Sequence, residues 1–181
     1  LSGSRVHDNL AMSNRIGVDR TGNAAAGNAT HGVLVEEGAH DNVIGYPYAA
    51  NVISGNALDG VAVIGAGSDD NVVQGNLIGL NVDGNAALPN GQGVVIGDGP
   101  VGTLVGGEEA GSDNTIAGNS AEGVWIHGAG THGSRVQGNA VGMARNRLDA
   151  VPNGGDGMLV SDGAHANLIG GGSVIEANYI F

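Results

Sequence analysis

The chain contains no cysteine and no lysine, and only 3% of its residues are aromatic. Without cysteine there can be no disulfide, no cysteine-ligated zinc and no thiol catalysis, although the compartment stays open. Six arginines stand against 18 acidic residues, and the formal net charge is −12. No basic stripe can therefore displace counterions from a polyanion, which excludes nucleic acid as a partner. The acidity itself is typical of a soluble protein.

Long hydrophobic runs are also missing. No stretch approaches the roughly 18–20 apolar residues of a membrane span, and no basic segment followed by an apolar run marks a signal peptide. The first residue is Leu1 rather than Met, so we interpret the chain as a mature product or as a fragment of a longer protein. We predict one repeat domain across residues 1–181.

What the chain has in abundance is glycine, with 36 residues, together with much asparagine, valine and isoleucine. A hydrophobic content of 41% argues against disorder, and the glycines follow no collagen period. Glycine and asparagine favour turns, whereas valine and isoleucine favour pleated sheet. The mixture predicts many short strands separated by tight corners.

Three short motifs recur along the chain. The first is a glycine followed by three mostly apolar residues, at Gly32, Gly60, Gly93, Gly123 and Gly157. The second is a small polar residue leading an apolar pair, at Ser4, Asn42, Asn71, Thr103, Ser134 and Asn167. The third has the same form, at Asn14, Asn51, Asn76, Asn114, Asn139 and Ser173. Each repeat thus supplies three strands, and successive first motifs lie 28, 33, 30 and 34 residues apart.

These strands predict an all-β fold, because no segment shows the 3.6-residue period of a helix. A unit with three strands cannot bury its apolar side alone, so it must stack on copies of itself. We predict a right-handed, single-stranded parallel β-helix of about five to six coils, with three short strands per coil and coils about 4.8 Å apart.

The spacing alternates because a long loop follows the third strand in every second coil. These loops span residues 18–31, 80–92 and 143–156, and we expect all three to emerge at the same corner. The asparagines that open the third strands could satisfy backbone groups at the corner or pair with the asparagine one coil above in a ladder; both are structural roles.

The sequence motifs "NVISGN", "GVAVIGAG" and "NVVQGNLIG" resemble the parallel β-helix repeats of the pectin-lyase-like superfamily. They are most similar to Gly/Asn-rich repeat regions of large exported or surface bacterial proteins. The resemblance covers almost the whole chain, yet its motifs are core and corner positions, which specify fold rather than activity. It implies an extracellular or cell-surface location.

Enzymes of this superfamily include lyases, hydrolases and epimerases that act on acidic polysaccharides. Its lyases typically use an arginine or lysine beside bound calcium, its hydrolases several aspartates with a Gly-His-Gly segment, and its epimerases an Asp-Pro-His-Glu signature. This chain has no lysine and neither of the two signatures. The departures favour a protein without catalysis, and no catalytic residue is assigned.

Alternation along the first strands predicts an apolar outward column on the rod. Its members are Leu34, Ala62, Val95, Trp125 and Leu159. Either the long loops fold over this face, or it is a contact face for a subunit or glycan with Trp125 at its centre, or the inward and outward positions are exchanged.

The candidate binding site includes Trp125 of this column. Its other members are His127, His132 and Arg135. Such a patch could bind sugar or metal, although exposed histidines without a third ligand are more often solvated. His40 and His165 occupy equivalent corners, which repetition explains better than metal ligation. We expect no cofactor; calcium is the one candidate, at Asp69 and Asp70 or at the acids Glu108, Glu109 and Asp113.

The leading hypothesis is a non-catalytic structural or adhesive repeat segment of an exported or surface bacterial protein. One alternative is a polysaccharide-binding or polysaccharide-cleaving module that uses the Trp125 patch. Another is a filament subunit that assembles end to end. The expected partners are accordingly other protein subunits, further copies of the chain, or polysaccharide.

Overall fold

The computed structural model describes all of residues 1–181 and shows 17 short strands and no helix. No helix that could span a membrane is therefore present.

The strands form three parallel sheets. The first sheet contains β3 (Val33–Val35), β6 (Val61–Ile64), β9 (Val94–Gly97), β12 (Val124–His127) and β15 (Met158–Val160). The second contains β1 (Leu10–Ala11), β4 (Val43–Ile44), β7 (Val72–Val73), β10 (Leu104–Gly106), β13 (Arg135–Gln137) and β16 (Leu168–Ile169). The third contains β2 (Arg15–Ile16), β5 (Val52–Ile53), β8 (Leu77–Ile78), β11 (Thr115–Ile116), β14 (Ala140–Val141) and β17 (Tyr179–Ile180).

Each strand pairs in parallel with the strand three positions later, so the chain forms five complete coils preceded by two strands of another. Val61 pairs with Val94, and Val94 pairs with Val124. The glycines before these valines therefore lie one above another, as the repeat predicts. The parallel β-helix with three strands per coil is confirmed, while its right-handed sense stays a prediction.

The core is a single cluster of 15 buried apolar residues that runs through the coils. Its first-sheet members are Val35, Val61, Val63, Val94, Ile96, Val124 and Ile126. These are the positions predicted to point inward, so the inward and outward assignment of the first sheet is confirmed. In the outward column Ala62 and Val95 are buried, whereas Leu34, Trp125 and Leu159 stay partly exposed.

Two predicted strands are wrong, one near each end. The first strand of the second sheet starts after Asn9 rather than at Ser4, because the Asn9 amide donates to Asn42 Oδ1 at 2.8 Å and sets the register. The last strand of the third sheet starts after Asn178 rather than at Ser173. Ser173 instead opens a turn, in which its N–H donates to Glu176 Oε2 at 2.7 Å.

Three corners separate the sheets: corner one lies between the first and second sheets, corner two between the second and third, and corner three between the third and first. The long loops at 18–31, 80–92 and 143–156 all leave corner three, as predicted. Each starts with a small antiparallel bridge, as between Val18 and Ala25. The loops also stack, since Val82 N–H donates to Gly22 O at 2.9 Å.

A second set of loops alternates with the first. Residues 45–51, 107–114 and 170–178 connect the second sheet to the third at corner two in the intervening coils. The third sheet is consequently flanked by loops on both sides. Val82 and Leu88 of a corner-three loop pack against Val52 and Leu77 on the outer face of the third sheet. These loop residues thus cover apolar side chains of the third sheet, and the expectation that the long loops also fold over the first sheet stays a prediction.

Candidate functional site

Half of the predicted site is assembled on β12. The rings of Trp125 and His127 are stacked with centroids 4.1 Å apart and planes inclined by 28°. The indole Nε1–H donates to Ser161 Oγ of the next coil at 3.0 Å. His127 Nδ1 lies 3.9 Å from Asp98 Oδ1 of the preceding coil, at the outer limit of an ion pair. The pair forms an ordered aromatic patch on the first sheet.

The other half lies across corner one. His132 stacks on His165 of the next coil with ring centroids 5.1 Å apart. Arg135 opens β13 with an exposed position on the second sheet and forms no salt bridge. No hydrogen bond, ion pair or ring stack joins His132 or Arg135 to Trp125 or His127. The four predicted residues therefore form two separate groups.

A buried histidine and carboxylate pair escaped the sequence prediction. His31 Nδ1 lies 2.9 Å from Asp59 Oδ2, with both side chains largely covered. The two side chains are in contact without an aligned hydrogen bond, since His31 Nδ1 has no partner with hydrogen-bond geometry. Burial raises the pKa of Asp59, and the neighbouring His31 opposes that shift. The residue before each first-motif glycine is polar, and this regularity could have revealed the pair from the sequence.

Asparagine ladders hold all three corners. At corner two the side chains donate from Nδ2 to the Oδ1 of the next coil at 2.9–3.0 Å. This ladder contains Asn14, Asn51, Asn76, Asn114, Asn139 and Asn178. Corner three has an equivalent ladder that the sequence prediction missed, in Asn28, Asn56, Asn90, Asn119 and Asn153. A shorter ladder at corner one connects Asn9, Asn42 and Asn71. Side-chain amides thus connect the coils along the whole of corners two and three and along part of corner one.

The two sets of loops enclose a cleft over the outer face of the third sheet. One cavity of about 320 Å³ has Leu77 and Thr115 as its floor, with Tyr48, Asp113 and Arg145 from three loops around it. A second cavity of about 330 Å³ continues beyond Asp113. Its lining includes Glu108, Glu109, Asp113, Arg147, Ile175 and Tyr179. Asp113 lines both cavities and marks the boundary between them.

Charged and aromatic groups in the cleft are fixed by contacts between loops. Arg147 donates to Asp113 Oδ2 at 2.7 Å, which connects a corner-three loop to a corner-two loop. The same guanidinium lies 5.2 Å from the centre of the Tyr179 ring, within cation–π range. The Tyr48 ring lies against Gly111, where a Cβ would be 3.1 Å from Cε1. Tyr48 is nevertheless 85% exposed, so one ring face is available to a ligand.

The acids predicted as calcium ligands have other contacts. Asp69 Oδ1 accepts a hydrogen bond from Val101 N–H at 2.8 Å, and Asp113 pairs with Arg147. A hydrogen bond from Ser173 lowers the pKa of Glu176, which lies near Glu108. No group of three or more His, Asp or Glu side chains is arranged around one point. Calcium at these acids stays a prediction.

Comparison with family models, with curated proteins and with solved structures gave no match. The class of protein therefore rests on its fold and on the contacts within it. Three parallel sheets, stacked coils and inter-coil asparagine ladders define a parallel β-solenoid with a loop-lined cleft along one sheet.

Proposed function

We propose that this chain is a non-catalytic structural and adhesive β-helix segment of an exported or surface bacterial protein. The observation that carries the proposal is the cleft on the third sheet, built from loops of alternate coils on a rigid rod. Binding residues on loops that a stiff scaffold positions are typical of contact surfaces. The resemblance to Gly/Asn-rich repeat regions of exported proteins supports the location.

A second candidate, binding or cleavage of a polysaccharide, is favoured by the groups in the cleft. The exposed faces of Tyr48 and Tyr179 offer flat apolar surfaces of the kind that pack against sugar rings. Two of the six arginines, Arg145 and Arg147, line the cleft of this otherwise acidic chain. Glu108, Glu109 and Asp113 outnumber these two arginines, and Arg147 already pairs with Asp113, so neutral polysaccharides suit the cleft better than acidic ones.

One binding experiment tests both candidates. The chain is immobilised and exposed to a panel of neutral and acidic polysaccharides and to a second copy of the chain. We expect Tyr48→Ala to weaken the observed contact by about tenfold or more, because it removes an exposed anchor without touching the core. Trp125→Ala, on the first sheet, is the matched control and should bind as the wild type does.

The outcomes separate the candidates. Binding without release of reducing or unsaturated ends supports an adhesive or binding segment, and release of such products assigns an enzyme. If Trp125→Ala weakens binding while Tyr48→Ala does not, the contact surface is the first-sheet patch rather than the cleft. Binding to no polysaccharide and to no second copy contradicts the adhesive role.

A further inference from the structure

Four of the six histidines lie on one edge of the rod, at corner one. His7 is paired by a parallel bridge with His40, and His132 with His165. In the column between the two pairs stand Asp69 and Val101. The edge thus carries two separate histidine pairs, each formed by adjacent coils.

The two pairs share one geometry. In each, the ring centroids are 5.1 Å apart, and the ring planes are inclined by only 10° and 9°. This distance is close to the coil spacing of about 4.8 Å, so equivalent ring atoms lie roughly one above another. The His132 side chain is half-buried and the His165 side chain is exposed, which leaves their ring edges accessible.

The hydrogen bonds of the rings leave equivalent nitrogens free. His132 Nδ1 is 2.8 Å from Gly130 O, and His165 Nδ1 is 3.2 Å from Gly163 O. A carbonyl oxygen can only accept, so Nδ1 carries the proton and Nε2 of the neutral ring keeps its lone pair. In the other pair Asp8 and Asp41 accept from His7 and His40 at 2.7 Å. Metal-binding histidines use this arrangement, in which a carbonyl or carboxylate orients the ring through its other nitrogen.

We propose that each stacked pair, His7 with His40 and His132 with His165, binds one late first-row divalent ion, Cu²⁺, Ni²⁺ or Zn²⁺, through Nε2 of both rings. Water completes the coordination. Two metal–nitrogen bonds of about 2.0–2.1 Å place the nitrogens between about 2.8 Å apart, at a right angle, and about 4.2 Å apart, in line, so the stacked ring edges must close by about 1–2.3 Å. The proposal requires the two accessible rings of each pair to tilt toward each other about their side-chain torsions. Imidazole selects these ions over Mg²⁺ and Ca²⁺.

The test is a titration of the full chain, prepared without a histidine tag, with Cu²⁺ at neutral pH. Calorimetry gives the stoichiometry, and electron paramagnetic resonance shows nitrogen coupling to bound copper. We expect two ions per chain. The double variant His132→Gln with His165→Gln should lose one ion, and His7→Gln with His40→Gln should lose the other. His165→Gln alone should weaken its site by more than about tenfold, because one imidazole replaces a two-point clamp.

His127→Gln is the matched control, since this histidine stacks on Trp125 and on no other histidine. It should keep both ions, and circular dichroism should show that every variant retains its β-sheet signal. Two ions in the variant that lacks all four paired histidines would overturn the proposal, as would loss of an ion in His127→Gln. Absence of nitrogen coupling, or one ion shared by both pairs, would also overturn it. Each pair is judged by its own double variant.

Discussion

An asparagine side chain replaces regular sheet hydrogen bonding at each corner of the rod. Asn76, in the middle of the corner-two ladder, is 2% exposed. Its Nδ2 donates to Ile44 O, Gln74 O and Asn114 Oδ1 at 2.8–3.0 Å. Its Oδ1 accepts from Asn51 Nδ2 at 2.9 Å. One amide thus satisfies backbone and side-chain groups of three successive coils.

We expect Asn76→Ala to lower the free energy of unfolding by about 2–4 kcal/mol, because it leaves two or more buried polar groups without partners. Asn14→Ala is the control from the same column, since Asn14 lies in the first coil and is exposed. It should lower the free energy of unfolding by less than about 1 kcal/mol. Urea denaturation of both variants measures the difference. Equal losses would show that burial in the ladder does not determine the contribution of the amide.

Single residues could be predicted where a motif marks a real strand. They could not be predicted where another segment has the same local pattern without forming a strand. Five members of the corner-two ladder were identified because each stands two residues before an isoleucine or valine at the start of a short strand. The sixth, Asn178, was missed because "SVI" at Ser173 has the same form as a strand start. The choice between them depends on contacts with the coil below, where Asn178 Oδ1 accepts from Asn139 Nδ2 at 3.0 Å. A local pattern cannot contain that information.

Among the strands and corners, the corner-one ladder is interrupted in the middle of the rod. Thr103 and Ser134 stand where neighbouring coils have Asn71 and Asn167. The hydroxyls of Thr103 and Ser134 and the Nδ2 of Asn167 are buried without hydrogen-bond partners. Ser134 N–H still donates to Asn167 Oδ1 at 2.9 Å, but these two coils lack the bonds between side-chain amides that the other two corners have.

Replacing both residues by asparagine should restore the ladder from Asn71 to Asn167. We expect Thr103→Asn with Ser134→Asn to raise the free energy of unfolding by about 1–3 kcal/mol, because paired amides replace unsatisfied polar atoms. Each single substitution should give less than half of that increase, since it restores only one of the three missing links, to Asn71 or to Asn167, and the central link needs both asparagines. Thr103→Leu, which matches asparagine in size but lacks the amide, should be destabilising. Thermal and urea unfolding distinguish these outcomes; a gain with leucine would point to packing instead.

Strand positions could be predicted well and the contacts of the loops could not. The first-motif glycines fix the register because a side chain does not fit there: a Cβ at Gly60 would be 2.7 Å from both Gly93 O and Ile78 Cγ2. The corner-two loops share no motif, and backbone groups of the short corner-two turns between them hold them, as where Gly75 N–H donates to Ser112 O at 2.9 Å. The cleft depends on those contacts, and for that reason the sequence indicated the Trp125 patch and not the cleft.

At the scale of the whole molecule, the coils are stacked at a regular spacing, and one coil spacing is one step along the rod. On the second sheet, Leu10, Val43, Val72, Leu104, Arg135 and Leu168 form one continuous paired column. Four steps separate Leu10 from Arg135, and five separate Leu10 from Leu168. Both proposals depend on this regularity, because the cleft and the histidine pairs are formed by groups held at fixed coil spacings.

Spin labels measure that spacing directly, because the chain has no native cysteine. Cysteines placed at Leu10 and Arg135 should give a backbone separation of about 19 Å, and cysteines at Leu10 and Leu168 about 24 Å, at one coil spacing of about 4.8 Å per step. All three positions are exposed, so labelling leaves the core intact. We expect two narrow distance distributions in double electron–electron resonance, offset by one step. Broad or coincident distributions would mean that the coils do not form a rigid stack, and neither the cleft nor the histidine pairs could then be held in place.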